Sequence, residues 1–318
     1  MSDYELIVNT TPPVSLAEGE GGAGPRAPFR IGAVQQRWNP DADAHTAALS
    51  EGIGLAAREG ATLVCLQELT LSPYFAITPD GPAAAGAAPE PLEDGPTITF
   101  ARAAAAEHDV HVHASLFEAA DGPGGPDGLG YNTAIVVAPD GTLVSRTRKL
   151  HIPITAGYYE DRYFRAGPAA GDGDPYPVIE LPGAKFGFPT CWDQWFPELA
   201  RAYALGGAEA IVYPTAIGSE PDHPGFDTQP QWEKVIVANG ITNGTFMIAV
   251  NRIGHEEPLT FYGSSFVSDP YGRILVQAPR QEPAVLVADL DLTQGPDWLA
   301  LFPFLTTRRP DTYAPLAR

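Results

Sequence analysis

The sequence predicts a layered α/β architecture with mixed sheets. Three observations carry that prediction. Apolar, strand-like runs alternate with Ala- and Leu-rich helical stretches along most of the chain. Turn signals at Pro139-Asp140-Gly141 and at Asp269-Pro270-Tyr271-Gly272 insert hairpins into the alternation, so the strands cannot all be parallel. No linker-like stretch divides the chain after residue 28, which assigns 29–318 to one domain.

Taken in order, residues 1–28 carry TTPP and EGEGGAGP and read as a flexible or surface-draped arm. Ile31 to Gln35 reads as a strand and Asp41 to Glu59 as a helix. Thr62 to Leu66 (TLVCL) is a short continuous apolar run, as expected of a strand buried on both faces. A Pro/Gly/Ala-rich loop over 79–95 precedes a helix over 96–107 and a strand in VHVHASLF. After the Gly-rich loop 121–130, TAIVVAPDGTLVSRTRK reads as two strands of a hairpin. The second half repeats the grammar. VIELPGAKFGFPTC is a strand pair, Pro197 to Gly206 a helix, Ala210 to Pro214 a strand and Gln231 to Asn243 a helix. Strands then follow in TFMIAVNRIG, SSFVSDPYGRILVQAP and AVLVADLDL. No repeat period typical of a solenoid or propeller is present.

Composition narrows the function classes. With 318 residues and 44% hydrophobic content the chain can bury a large core. A formal charge of -20 argues against nucleic acid and against anionic membranes, both of which need clustered Lys and Arg, and it weakly favours a cationic small molecule. Two cysteines do not make a disulfide scaffold. The first 28 residues lack the basic start and apolar run of a secretory signal, and no stretch approaches the roughly 18 apolar residues of a spanning helix. The expected setting is soluble and cytoplasmic.

Three strand-end residues can carry chemistry. Cys191, in FPTCWDQWFPE, sits where an apolar strand ends and a helix begins, next to backbone N–H groups that favour thiolate over thiol. A free cysteine is more often an inert core residue, and Cys65 inside TLVCL fits that description. Glu68 follows a buried strand in CLQELTLSPYF, at the carboxyl edge where α/β sites gather. Alone it is an ordinary loop glutamate. Lys149 closes the strand in TLVSRTRK, where a lysine commonly only guards a sheet edge. Together the three make a base, a cation and a nucleophile.

GAVQQRW, CLQELTLSPYF, RKLHIP, TCWDQWFPELAR, YPTAIGSEP, NRIG, FYGSSF and RRPDTY, in that order, resemble the signature blocks of the nitrilase superfamily, nearest the N-carbamoylputrescine amidases and β-ureidopropionases. The resemblance implies a four-layer αββα sandwich of the nitrilase type, assembled as a homodimer or larger homo-oligomer. It implies an amidohydrolase that cleaves the C–N bond of an N-carbamoyl amine without cofactor or metal. Cys191 is then the nucleophile, Glu68 the general base and Lys149 the cation that steadies the tetrahedral intermediate. Glu160, in GYYEDRYF, matches the second glutamate beside the lysine. Tyr74 and Trp192 are expected as apolar walls, and Glu220, in YPTAIGSEP, as the partner of a substrate amine at the pocket mouth. The alternatives are a carboxylate-ended substrate of the β-ureidopropionase kind, another small amide, or a scaffold without catalysis. Three departures from the family pattern bear on substrate rather than chemistry: Ala76 where a Cys is common, ITAGYYE after HIP, and FPFLTTRRP near the C-terminus.

Other signals are weaker. His111 and His113 share a strand face but have no obvious third metal ligand. His151 reads as part of the site wall. GEGGAG (19–24) and GPGGPDG (122–128) do not join a strand to a helix, so they are not phosphate loops. Asp172-Gly173-Asp174 is too short for a calcium loop.

Overall fold

Each regular element begins and ends where local chemistry allows it. The computed structural model describes residues 3–13, 15, 26–119 and 128–317. The strands of the first half are β1 (Glu5–Asn9), β2 (Phe29–Gln35), β3 (Leu63–Cys65), β4 (His111–Glu118), β5 (Tyr131–Val137), β6 (Leu143–Arg148), β7 (Val178–Leu181) and β8 (Ala184–Gly187). Those of the second half are β9 (Ala210–Pro214), β10 (Phe246–Val250), β11 (Ile253–Glu256), β12 (Leu259–Tyr262), β13 (Phe266–Ser268), β14 (Ile274–Gln277) and β15 (Ala284–Leu290). The helices are α1 (Ala42–Arg58), α2 (Pro82–Ala85), α3 (Pro96–His108), α4 (Pro197–Leu205), α5 (Gln229–Asn243) and α6 (Gln294–Leu301). Asp41 starts α1 by accepting the N–H of Ala44 on its side chain. Proline opens α2, α3 and α4, where its missing N–H costs nothing.

The strands form a seven-stranded sheet ordered β1-β15-β2-β3-β4-β5-β6 and a six-stranded sheet ordered β14-β13-β10-β9-β8-β7. Both are mixed: β2, β3 and β4 run parallel, while β4, β5 and β6 are antiparallel. The period-2 alternation of β3 explains its unbroken apolar run. Leu63 and Cys65 face the second sheet, and Val64 faces the helices. Between the sheets, Ile31, Leu63, Ala134 and Leu286 meet Phe186, Val212, Ile248 and Val267. Leu49 and Ile53 of α1 and Ile98 and Ala101 of α3 cover the outer face of the first sheet. Leu199 and Tyr203 of α4 and Trp232 and Ile236 of α5 cover the second. The result is the expected αββα sandwich. Each fully buried aliphatic side chain contributes about 1.5–3 kcal/mol to holding the layers together.

Two expectations need correction, one lies outside the described residues, and one element is new. The arm over 1–28 is not all arm: Glu5–Asn9 forms β1, pairing parallel with β15 from Glu5 against Ala284 to Asn9 against Ala288. The 19–24 glycine run lies outside the described residues, as does most of the 122–128 run. The strand expected through TFMIAVNRIG breaks at Asn251, whose side chain leaves the ladder to bond Ile217 on both N–H and carbonyl. Finally, α6 was not anticipated; its Trp298 donates to the Ile241 carbonyl of α5. No helix among the described residues is long and apolar enough to cross a membrane.

His113, opposite Cys65 in the β3–β4 register, is fully buried, stacks on Phe188 at 5.2 Å and finds no hydrogen-bond partner among the described residues for either ring nitrogen. Burial pushes its pKa down from 6.5 to about 3. The unfolded chain therefore binds a proton between those values that the fold refuses, and stability drops as pH falls below 6.5. The slope is about 1.4 kcal/mol per pH unit, or about 2 kcal/mol lost at pH 5. Urea unfolding of His113→Leu is expected to lose that much less than wild type between pH 7 and pH 5. His111 bonds the Thr62 carbonyl instead, and among the described residues no three His, Cys, Asp or Glu side chains cluster as a metal site.

Candidate active site

Glu68, Lys149 and Cys191 lie just beyond the ends of β3, β6 and β8, and the layering brings those three ends together. Lys149 is the hub. Its Nζ donates to Glu68 Oε1 at 2.9 Å and to Glu160 Oε2 at 2.7 Å, and neither it nor Glu68 touches solvent. Glu160 opens a 3-10 turn (Glu160–Arg162), and its other oxygen accepts the Tyr74 hydroxyl at 2.9 Å. The Cys191 sulfur lies within the electrostatic reach of Glu68, Lys149 and Glu160, and the backbone N–H of Ala216 points at it.

The backbone presents Cys191 under strain. Its φ is +39°, a left-handed conformation uncommon for any residue with a Cβ. Asp193 clamps the turn: its Oδ2 accepts the Thr190 N–H at 3.1 Å, and its own N–H donates to the Thr190 carbonyl at 3.0 Å. Asp193 also accepts the His151 backbone N–H at 2.9 Å and His151 Nδ1 at 2.7 Å, tying the elbow to the segment after Lys149. His151, expected in the site wall, stacks on Phe196 at 3.6 Å, at the start of α4. In the loop after β3, Leu69 is also left-handed, at φ +49°, next to Glu68.

A family model for carbon–nitrogen hydrolases matches residues 30–298, most of the chain. The chain belongs to the carbon–nitrogen hydrolase family. It is thus a nitrilase-superfamily hydrolase acting on non-peptide C–N bonds. This hydrolase is 35% identical to the N-carbamoylputrescine amidase of Solanum lycopersicum over 291 residues, covering 89% of this chain and 93% of that one. It is 32% identical to the citrullinase of Francisella tularensis, covering 92% and 99% respectively. The crystal structure of a carbon–nitrogen hydrolase from Helicobacter pylori superimposes with a TM-score of 0.78 at 34% identity, covering 91% of this chain and 98% of that one. An amidase from Nesterenkonia sp. shares the fold, with a TM-score of 0.70 at 23% identity over 91% of this chain and 97% of its own.

The hydrolase's site holds its charges in unequal ways. Burial opposes the Lys149 charge, but Glu160 and Glu68 outweigh it and hold the ammonium well above the usual lysine range. Burial pushes the Glu160 carboxyl up to about 7, against the pull of Lys149. Burial, and then Glu68, push the Cys191 thiol well above its ordinary range, with Lys149 and the Ala216 N–H pulling only partly back. The backbone N–H groups expected to favour thiolate at this junction are thus outweighed. Burial and the two facing carboxylates favour the thiol over the thiolate.

A cavity of about 390 Å³ opens onto Cys191, lined by Trp192, Trp195, Tyr158, Ile217, Glu220 and Phe226 among others. Trp192 and Glu220 stand where sequence reasoning put them, on the cavity. Tyr74 does not line it. Its ring packs between Tyr158 and Phe261, its N–H bonds Glu256 and its hydroxyl bonds Glu160, so it sits behind the carboxylate rather than against a substrate.

Sequence reasoning missed three contributors. Asn132 donates Nδ2 to Glu68 Oε1 at 2.7 Å; its only signal was a buried-strand asparagine among apolar neighbours. Tyr158 accepts the Gly218 N–H and donates to the Ser219 carbonyl, pinning the loop that carries Glu220. Arg252 caps the carbonyls of Glu68, Leu69 and Ser72 and pairs with Glu256. Tyr158 carried no signal beyond an aromatic-rich block, and Arg252 none beyond NRIG.

Proposed function

We propose that this enzyme hydrolyses N-carbamoyl amines whose far end is itself an amine, through a covalent intermediate on Cys191. The observation that carries the reading is the lining of the cavity. It presents the Glu220 carboxylate and aromatic walls but no Lys, Arg or His among its described residues. Such a lining favours an ammonium over a carboxylate, and a short methylene chain over a polar one. The similarity to N-carbamoylputrescine amidase and citrullinase over nearly whole chains supports the same chemistry on a ureido group.

The geometry supports the following steps. As the sulfur attacks the ureido carbon, the thiol proton passes to Glu68, and Lys149 and nearby backbone N–H groups oppose the charge growing on oxygen. The proton then moves to the departing nitrogen. The C–N bond breaks, ammonia leaves and a thioester remains. Water gives one proton to Glu68 as its oxygen bonds the carbon. The C–S bond breaks, the proton returns to sulfur, and the released carbamic acid loses carbon dioxide to give the amine.

Glu220 is the specificity partner in this account, its carboxylate accepting from Thr228 Oγ1 at 3.4 Å. Glu220→Gln is expected to raise KM for a carbamoylated diamine by an amount worth about 1–3 kcal/mol. An uncharged amide of the same length should respond much less. Equal effects on both, or a wild-type preference for carbamoylated β-amino acids, would move the assignment to a carboxylate-ended substrate.

A further inference from the structure

Glu68 has two oxygens with opposite surroundings. Oε1 accepts from both Lys149 Nζ at 2.9 Å and Asn132 Nδ2 at 2.7 Å. Oε2 is equally buried and has no hydrogen-bond partner among the described residues. A buried carboxylate oxygen without a donor is costly unless something that comes and goes fills the role. In this site the thiol of Cys191 and the hydrolytic water are the groups that come and go.

The two donors are placed by one piece of sheet. The Lys149 N–H bonds the Asn132 carbonyl at 2.8 Å, so the β5–β6 pairing holds both side chains against the same carboxylate oxygen. Ser115 Oγ donates to Asn132 Oδ1 at 3.4 Å and accepts the Leu69 N–H at 3.2 Å. The first bond orients the amide with its NH₂ toward Glu68. The second joins it to the strained residue that follows the glutamate.

We propose that Asn132 is a positioning residue for the reaction: with Lys149 it occupies Glu68 Oε1, leaving Oε2 as the single oxygen that exchanges protons with Cys191 and with water. The proposal rests on Glu68 being the base. Asn132 is suited to this because it donates without adding charge. A second cation there would hold the glutamate ionised too firmly to accept a proton. The other ionisable groups facing Glu68 are Lys149, Glu160, Cys191 and the hydroxyls of Tyr74 and Tyr158.

Two variants read the role through pH. Asn132→Leu keeps the volume but deletes the donor, so kcat falls about 10- to 100-fold with KM little changed. The acid limb of kcat/KM moves up by about one pH unit, since the ionised carboxylate has lost a hydrogen bond. Asn132→Asp does the reverse at high pH: the introduced carboxyl donates while protonated and repels Glu68 once ionised, so activity survives only on the acid side. Alkylation of Cys191 by iodoacetamide, followed across the same pH range, reports the same limbs without any substrate. It therefore separates failure of this proposal from failure of the substrate assignment. The proposal is overturned if either folded variant loses rate equally at every pH, or if both keep the wild-type profile.

Discussion

Cys191→Ala is expected to lower kcat/KM by on the order of 10⁴-fold or more, because without the sulfur no thioester forms. The fold should survive. The residue is small, and deleting one buried atom costs about 1 kcal/mol. Cys65→Ala is the matched control. Burial pushes that thiol up as well, but it sits between the sheets in the apolar core. It should keep wild-type turnover and lose only packing. Initial rates of ammonia release with thermal melts on both variants check the pair. Near-wild-type turnover by Cys191→Ala would end the catalytic account.

Lys149→Met should damage activity and stability together. The ammonium neutralises two buried carboxylates, and its removal leaves Glu68 and Glu160 facing each other out of water. Breaking a buried pair in this way costs about 3–5 kcal/mol. The cost should depend on pH in a definite direction. Glu160 already holds its proton up to about 7 with the lysine present, and without it the folded protein binds that proton more tightly still. A carboxyl whose folded pKa is raised loses stability as pH rises, so the variant should be weaker at pH 8 than at pH 6, relative to wild type. Urea unfolding at both pH values measures this. A variant equally stable at both would show that the two glutamates are not held together by Lys149.

Much of this was legible in the sequence, and the reasons are specific. The strand Ala210–Pro214 was placed to the residue because five apolar residues sit between turn-forming neighbours. Glu68, Lys149 and Cys191 were legible because each follows a strand end within a distinctive block. What stayed hidden depended on contacts between distant parts of the chain. β1 escaped notice because an edge strand half open to solvent carries little apolar pattern, and its partner β15 lies near the opposite end of the chain. Tyr74 looked like a pocket wall because aromatic residues near a site usually are. Only the fold shows its hydroxyl turned onto Glu160. The electrostatic balance at Cys191 stayed hidden for a related reason. A strand-to-helix junction suggests a thiolate, but the glutamates that raise the Cys191 pKa arrive from positions 68 and 160.

The central claim is that a carbamoyl amine is cleaved through a thioester on Cys191. The most direct test is peptide mass mapping of enzyme acid-quenched during turnover of N-carbamoylputrescine. The account predicts an acyl group, equal to the substrate less ammonia, on the peptide containing Cys191 and on no other. An adduct on Cys65, or ammonia released at the wild-type rate by Cys191→Ala under the same conditions, would contradict it.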